Sequence, residues 1–324
     1  MPEAIVIREY GGPEVMKLEE IPTPTISPNE LLISQKAIGI NFHDIYVRSG
    51  LYKTLSLPGT PGIEGIGKIL KIGSEVQGFS IGERVAYITP KYDGYSSMRS
   101  IPSEIAIPVP DEIDDVTVAA SILKGLTVQM LSRQVTQIKQ GDRVLIHAAA
   151  GGVGQLLVQT AKHMGAMVIG TVGSEAKAKE AIKFGCDHVI LYREESVLDR
   201  VMEITNGEGV HIVYDSVGKD TFHDSLASLT FEGHLVNFGQ ASGPIEGFSI
   251  PMLAKKSSTL SRPMVFHYIR KREKLLAMSR AHFDALKNGE LHMTSPIQLP
   301  LKDAAKAHEL LASRKLTQPV VLIP

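Results

Sequence analysis

The stretch Val144-Leu-Ile-His-Ala-Ala-Ala-Gly-Gly-Val-Gly154 decides the reading of this 324-residue chain. Val144 to His147 suit a strand, and Ala149, Gly151 and Gly154 suit a tight turn. Beyond it Val153, Leu156, Leu157, Val158 and Ala161 recur at helical spacing. The three small residues stand at the spacing G-x-G-x-x-G, with alanine in the first place. In that pattern a small residue permits the turn, a missing Cβ lets a pyrophosphate approach the backbone, and the last glycine lets helix and strand pack closely. The helix that begins there offers unpaired N–H groups and the positive end of its dipole to phosphate.

An isolated glycine triplet is equally a close-packed turn with no ligand, so the surroundings decide. Apolar runs recur at Met167–Gly170, His188–Leu191, Val210–Tyr214 and His234–Phe238, with helix-compatible stretches such as Glu175–Phe184 and Ser196–Thr205 between them. Strands alternating with helices make an α/β, doubly wound parallel sheet. The glycine turn follows its first strand, where a dinucleotide binds.

The second strand separates the dinucleotides. An NAD site places Asp or Glu at its end for the ribose hydroxyls. Here the chain runs into Gly170-Thr-Val-Gly-Ser174, with no carboxylate. Ser174 can cap the next helix and face a 2′-phosphate, with Lys177 one turn in and Tyr192-Arg193 at the end of the third strand. A charge-assisted hydrogen bond contributes about 1.5–3 kcal/mol, a roughly tenfold to hundredfold preference. NADPH is therefore the expected cofactor. The competing reading makes Lys177 a solvated helix lysine and Glu175 the ribose ligand.

Composition narrows the classes. With 43% hydrophobic and 21% charged residues there is chain enough for two globular domains. A formal net charge of −1 removes the broad attraction that nucleic acid or an anionic membrane requires. Cys186 is the only cysteine, which rules out an intramolecular disulfide and a multi-cysteine zinc site. The first ten residues carry charges and lack a signal-peptide apolar core, and no run reaches 18 apolar residues, so a cytoplasmic protein is expected.

Residues 1–120 have another texture. Short segments (Ala4–Arg8, Leu31–Ala37, Ile66–Ile72, Arg84–Ile88, Ile105–Val109) are punctuated by glycine and proline, which predicts a compact β-rich unit. Asp114 to Gln134 reads as helical. Past Thr259–Arg262 a helical pattern, Arg272–Asn288, stops at Gly289, and a short helix from Leu301 precedes a last strand, Val320–Ile323, expected to rejoin the first unit.

Gly39-Ile-Asn-Phe-His-Asp44, Gly62-Ile-Glu-Gly-Ile-Gly67 and Gly82-Glu-Arg-Val85, followed by Ala148-Ala-Ala-Gly-Gly-Val-Gly-Gln155, resemble the medium-chain dehydrogenase/reductase superfamily. Lys36–Phe42, Arg48-Ser-Gly-Leu-Tyr52, Leu123-Lys-Gly-Leu-Thr127, Tyr214-Asp-Ser-Val-Gly218 and Leu301–Ala304 resemble more closely its NADPH-dependent quinone oxidoreductases, the zeta-crystallin-like branch. The resemblance spans nearly the whole chain. It implies a GroES-like catalytic domain (residues 1–122, with 263–324 returning to it) and a Rossmann domain (residues 123–262).

In zinc-containing relatives a Cys and the His of a Gly-His-Glu motif hold the catalytic metal. Asn41 and Ile63 stand in the corresponding places, and neither replaces a thiolate or imidazole. Without a Lewis acid, alcohol oxidation is disfavoured. Hydride transfer to a quinone or enone fits better, because the protein then needs only to align the acceptor and donate hydrogen bonds to developing oxyanions.

By position in the matching motifs, Asn41, Tyr46, Tyr52 and Thr127 are the candidates for that slot. Either tyrosine could instead be a core or hinge residue. For the cofactor the resemblance implies Gly152, Val153, Ser174, Lys177, Tyr192, Ser216, Phe238, Gly239 and Arg314, with Arg262 near the diphosphate or the domain seam. Arg314 is implied at the 2′-phosphate; its other reading is a helix-terminal arginine facing water.

Three functions stay open: reduction of quinones, by hydride or net one-electron steps; reduction of α,β-unsaturated carbonyls such as 2-alkenals or enoyl thioesters; and a non-catalytic role as a crystallin or NADPH-sensitive RNA-binding protein. The absent basic tract argues against the last. A homodimer formed through the edge strand at Thr259–Arg262 is expected, since an uncovered edge invites pairing.

Overall fold

The computed structural model describes residues 1–324, which divide into two compact units. One comprises Met1–Leu123, Ile269–Lys287 and Met293–Pro324; the other comprises Lys124–Tyr268 and Asn288–His292.

The second unit is built on a six-stranded parallel sheet. Its strands in chain order are Arg143–Ile146, Met167–Val172, His188–Leu191, Val210–Asp215, Leu229–Asn237 and Thr259–Ser261. They lie side by side in the order third, second, first, fourth, fifth, sixth. Val144, Leu145 and Ile146 are completely buried, as a central strand covered on both faces requires. Leu145 and Ile169 join Val197, Val201, Phe222 and Leu235 in one apolar core. The strand order reverses between the first and fourth strands, and in sheets of this kind ligands bind beyond the strand C-termini at that point. Thr259–Ser261 forms the edge.

The first unit is β-rich. Val320–Ile323, Glu30–Gly39, Glu64–Ile72, Arg84–Ile88 and Ile107–Pro108 pair antiparallel in that order, and Met98–Pro102 also pairs with Glu30–Gly39. The last strand thus joins this unit through Val321 and Leu322 against Gly39 and Ile38, as the sequence led us to expect. Leu31, Ile33, Ile69, Val85, Tyr87 and Ile101 form its core. A hairpin of Glu3–Val6 and Lys17–Glu20 stands apart from this sheet.

Three strands were not foreseen. Lys17–Glu20 is largely exposed and carries no apolar alternation. Ile297–Pro300, the edge beside Val320–Ile323, is likewise half polar in its exposure. Met98–Pro102 buries Arg99, whose guanidinium lies 4.6 Å from the centre of the Tyr87 ring, so a charged residue occupies an inward position. No helix is long and apolar enough to cross a membrane.

Candidate active site

The glycine bend has the geometry its spacing implies. Ala148 takes a left-handed conformation (φ 52°), the Ala149 N–H donates to Thr171 O at 3.1 Å, and Gly151 N–H donates back to Ala148 O at 2.8 Å. Gly151 caps the helix Gly152–His163 without any side-chain hydrogen bond. The first N–H groups of that helix are therefore presented at the strand end. A Cβ on Gly154 would lie 2.2 Å from Ala148 O, which shows why the third position must be glycine. Alanine at 149 is accommodated because Gly170 faces it: a Cβ on Gly170 would stand 2.7 Å from Ala149 Cβ.

A buried polar chain braces this bend. His147 contacts Thr171 Oγ1 through Nδ1 at 3.0 Å and Ser225 Oγ through Nε2 at 2.9 Å. Ser225 donates to Asp215 Oδ2 at 3.1 Å. Asp215 Oδ1 in turn accepts from the N–H groups of Val217 and Gly218. One set of side chains thus ties the ends of the first, second and fourth strands together. Burial lowers the pKa of His147, opposed by the charge of Asp215.

Ser174, Lys177 and Tyr192 gather at the end of the second strand. Ser174 occupies the cap position of the helix Glu175–Lys183, but its side chain makes no capping hydrogen bond, unlike the expected capping role. A Cβ on Gly173 would meet the Tyr192 hydroxyl at 2.6 Å and Arg193 Nε at 3.4 Å, so both side chains lean over the backbone beside Ser174. Ser216, Phe238, Gly239 and Arg262 collect at the next strand ends. Phe238 N–H donates to Asp215 O at 2.8 Å, a Gly239 Cβ would meet Ser216 O at 2.5 Å, and Arg262 donates to Asn237 O at 3.1 Å. Asn237 Oδ1, buried there, has no protein partner. Val153 sits in the first helical turn, and Thr127 lies on the helix Asp115–Met130 in the same unit.

Asn41, Tyr46, Tyr52 and Arg314 belong to the other unit. Asn41 precedes the helix Phe42–Ser49. Its amide donates to Glu64 Oε1 at 2.7 Å, while Glu64 Oε2 accepts the Leu123 N–H at 2.9 Å. Gly39 makes room for this carboxylate, since a Cβ there would lie 2.3 Å from Glu64 Oε1. Tyr46 and Tyr52 meet edge to face with ring centres 5.3 Å apart. Burial and the neighbouring Tyr52 push the Tyr46 phenol up to about 12, and the charge of Arg314 partly opposes them. Arg314 itself is exposed and left-handed (φ 55°), just past the helix Ala304–Ala312.

Residues 27–104 match an alcohol dehydrogenase GroES-like domain and residues 152–280 a zinc-binding dehydrogenase domain. The quinone oxidoreductase of Salmonella typhimurium is 43% identical over 327 residues, covering the whole of both chains. The chain belongs to the quinone oxidoreductase family. The crystal structure of the Escherichia coli quinone oxidoreductase complexed with NADPH superposes with a TM-score of 0.97 at 42% identity, covering 99% of this chain and 100% of that one. A 2-haloacrylate reductase from a Burkholderia species is 39% identical, covering 99% of this chain and 98% of its own.

Ile63 is buried beside Glu64 in the chain, and the Asn41 amide is engaged with Glu64. No group of three or more His, Cys, Asp or Glu side chains could hold a metal ion. Two further residues matter here. Glu64 stands in the glycine-rich run Gly62–Gly67, and its partners Asn41 and Leu123 lie far from it along the chain. Lys124, buried, packs its side chain on the glycine bend: a Cβ on Gly152 would lie 3.0 Å from Lys124 Cε. A lysine inside an otherwise apolar helical face was the available signal.

Proposed function

We propose that the protein reduces quinones with NADPH and without a metal. The observation that carries this reading is the glycine bend with its uncapped helix start, beside a strand end furnished with Ser174, Lys177 and Tyr192 in place of a carboxylate. The residues present fit the cofactor: the helix Gly152–His163 begins with no side-chain cap on its first N–H groups, and Asn237 Oδ1 is a buried acceptor with no protein partner.

Bound NADPH supplies the hydride. The N–H groups of Gly152 and Val153 hold the diphosphate, and Ser174, Lys177 and Tyr192 hold the 2′-phosphate. Ser216, Phe238, Gly239 and Thr127 orient the nicotinamide, while Arg262 braces the fifth strand through Asn237 O. The Asn41 amide, fixed by Glu64, orients the acceptor. Tyr46 and Tyr52 donate hydrogen bonds to quinone oxygens as negative charge develops on them, and their rings give a flat acceptor an apolar face. Because the metal-ligand places hold an amide and an isoleucine, the reaction relies on these donors alone.

Lys177→Ala is expected to raise the KM for NADPH by about tenfold to a hundredfold and to leave that for NADH within about twofold. Equal losses with both cofactors would refute the phosphate assignment. A substrate panel tests the acceptor: turnover of 1,4-benzoquinone that survives exhaustive chelation supports the proposal, and turnover of none but 2-alkenals or haloacrylates overturns it. That second reading is favoured by the 39% identity to the 2-haloacrylate reductase.

We further propose a cytoplasmic homodimer paired through Thr259–Ser261, the edge of the parallel sheet, in a unit that also exposes Phe231, Ile250 and Met264. Sedimentation showing monomer alone would count against it.

A further inference from the structure

Tyr92 lies in the β-rich unit, and its ring is buried. Two consecutive residues with side chains, Tyr92 (φ 58°) and Asp93 (φ 64°), adopt the left-handed conformation there. Bulky residues seldom tolerate it, and such conformations persist only where the surroundings over-determine them. The surroundings here are close backbone contacts. Asp93 N–H donates to Thr60 O at 2.9 Å, Gly94 N–H to Gly62 O at 3.0 Å and Tyr95 N–H to Pro61 O at 2.8 Å. Gly62 and Gly94 approach so closely that a Cβ on Gly94 would fall 2.7 Å from the Gly62 carbonyl carbon.

This bend delivers the Tyr92 hydroxyl to a junction of two elements. It lies 3.3 Å from His43 Nε2, on the helix that carries Tyr46, and it is hydrogen-bonded to Thr54 Oγ1, two residues beyond Tyr52. The His43 and Tyr92 rings stack with centres 6.0 Å apart, and the Tyr52 ring stands 5.8 Å from His43. Leu51, Lys53 and Thr54 are exposed as residues, and the other ties of the segment are the Tyr46–Tyr52 ring contact, Tyr52 N–H to Tyr46 O at 3.0 Å, and buried Leu55, whose carbonyl accepts from Tyr10 OH at 2.8 Å.

We infer that Tyr92 is a positioning residue, whose hydroxyl bridges His43 and Thr54 and thereby fixes the Tyr52 segment against the Tyr46 helix, setting how tightly and how selectively quinones are held. The inference rests on the quinone-reductase reading of Tyr46 and Tyr52. Tyr92 is too buried to meet the acceptor itself, so its effect passes through Tyr52.

The experiment compares Tyr92→Phe, Thr54→Val and the double variant. Tyr92→Phe keeps the stacked ring and removes only the bridge. Three results are expected: faster amide hydrogen exchange confined to residues 50–56, a KM for 1,4-benzoquinone raised about tenfold with kcat changed less, and an NADPH affinity, titrated by fluorescence, within about twofold of wild type. Thr54→Val should reproduce the exchange and KM effects, and the double variant should be no worse than Tyr92→Phe, because both cut the same link. Unchanged exchange at 50–56, fully additive effects, or a parallel loss of NADPH affinity would overturn the inference. A wild-type enzyme that turns over no quinone would instead sink the functional reading, and the exchange measurement would still report on the bridge.

Discussion

Tyr46 illustrates how burial sets the chemistry of a single group. Its phenol is raised to about 12 by burial and by Tyr52, so across the range in which enzymes are assayed it remains a neutral hydroxyl and a hydrogen-bond donor. Tyr46→Phe is expected to lower kcat/KM for 1,4-benzoquinone about tenfold to a hundredfold, the loss of one donor to a developing oxyanion. The alkaline limb of the pH profile should stay where it is, since Tyr46 does not titrate below pH 10. An alkaline limb near pH 8 that vanishes in the variant would contradict this assignment. At this scale the sequence offers candidates where a residue stands in or beside a short recognisable run, as Asn41, Tyr46, Tyr52 and Lys177 do. Glu64 stands in such a run too, but what it and Tyr92 do depends on Leu123, 59 positions on, and on Thr54, 38 positions back.

The glycine bend is the element whose packing bears on the proposed cofactor site. Gly154 lets the helix Gly152–His163 settle onto the first strand, and the atom an added Cβ would strike is a backbone carbonyl oxygen that cannot swing aside. Gly154→Ala should therefore destabilise the fold by about 1–3 kcal/mol and weaken NADPH binding by a larger factor than that of any acceptor. Thermal unfolding with and without NADPH checks this: a variant with wild-type Tm and an undiminished NADPH-induced shift would show that the close approach is dispensable. This element was legible because its periodicity changes from strand to turn to helix within eleven residues. The fifth strand was legible only from His234. Its observed start at Leu229 was hidden because Phe231 and Glu232 are exposed, and the register with the fourth strand shifts between Val210 and Ile212. Lys17–Glu20 has no apolar face at all, so its pairing with Glu3–Val6 comes from tertiary context, not local preference.

At the scale of the whole molecule, two buried histidines couple stability to acid. Burial drives His282 down to about 4, and burial together with the Arg48 charge drives His308 down to about 3. His282 contacts Ser121 Oγ at 3.0 Å and leaves Nδ1 without a partner, while His308 contacts the Tyr95 hydroxyl at 3.0 Å. Both therefore remain neutral in the native state under conditions in which an unfolded histidine, near 6.5, takes up a proton. The linkage has one sign: above pH 6.5 neither state binds the proton and stability is complete, and below it the unfolded state gains. Each histidine then removes about 1.4 kcal/mol per pH unit until its native value is reached. Between pH 6.5 and 5 the pair should remove about 4 kcal/mol, before the carboxylates, whose ordinary values lie near 4, contribute. Urea midpoints at pH 7 and pH 5 measure this directly. His282→Gln, which keeps a polar partner for Ser121, should lose stability at pH 7 yet show a shallower decline toward pH 5. A wild-type midpoint that does not move over that interval would mean that the histidines are reached by solvent, and the close packing around the Asp115–Met130 and Arg272–Lys287 helices would then need another account.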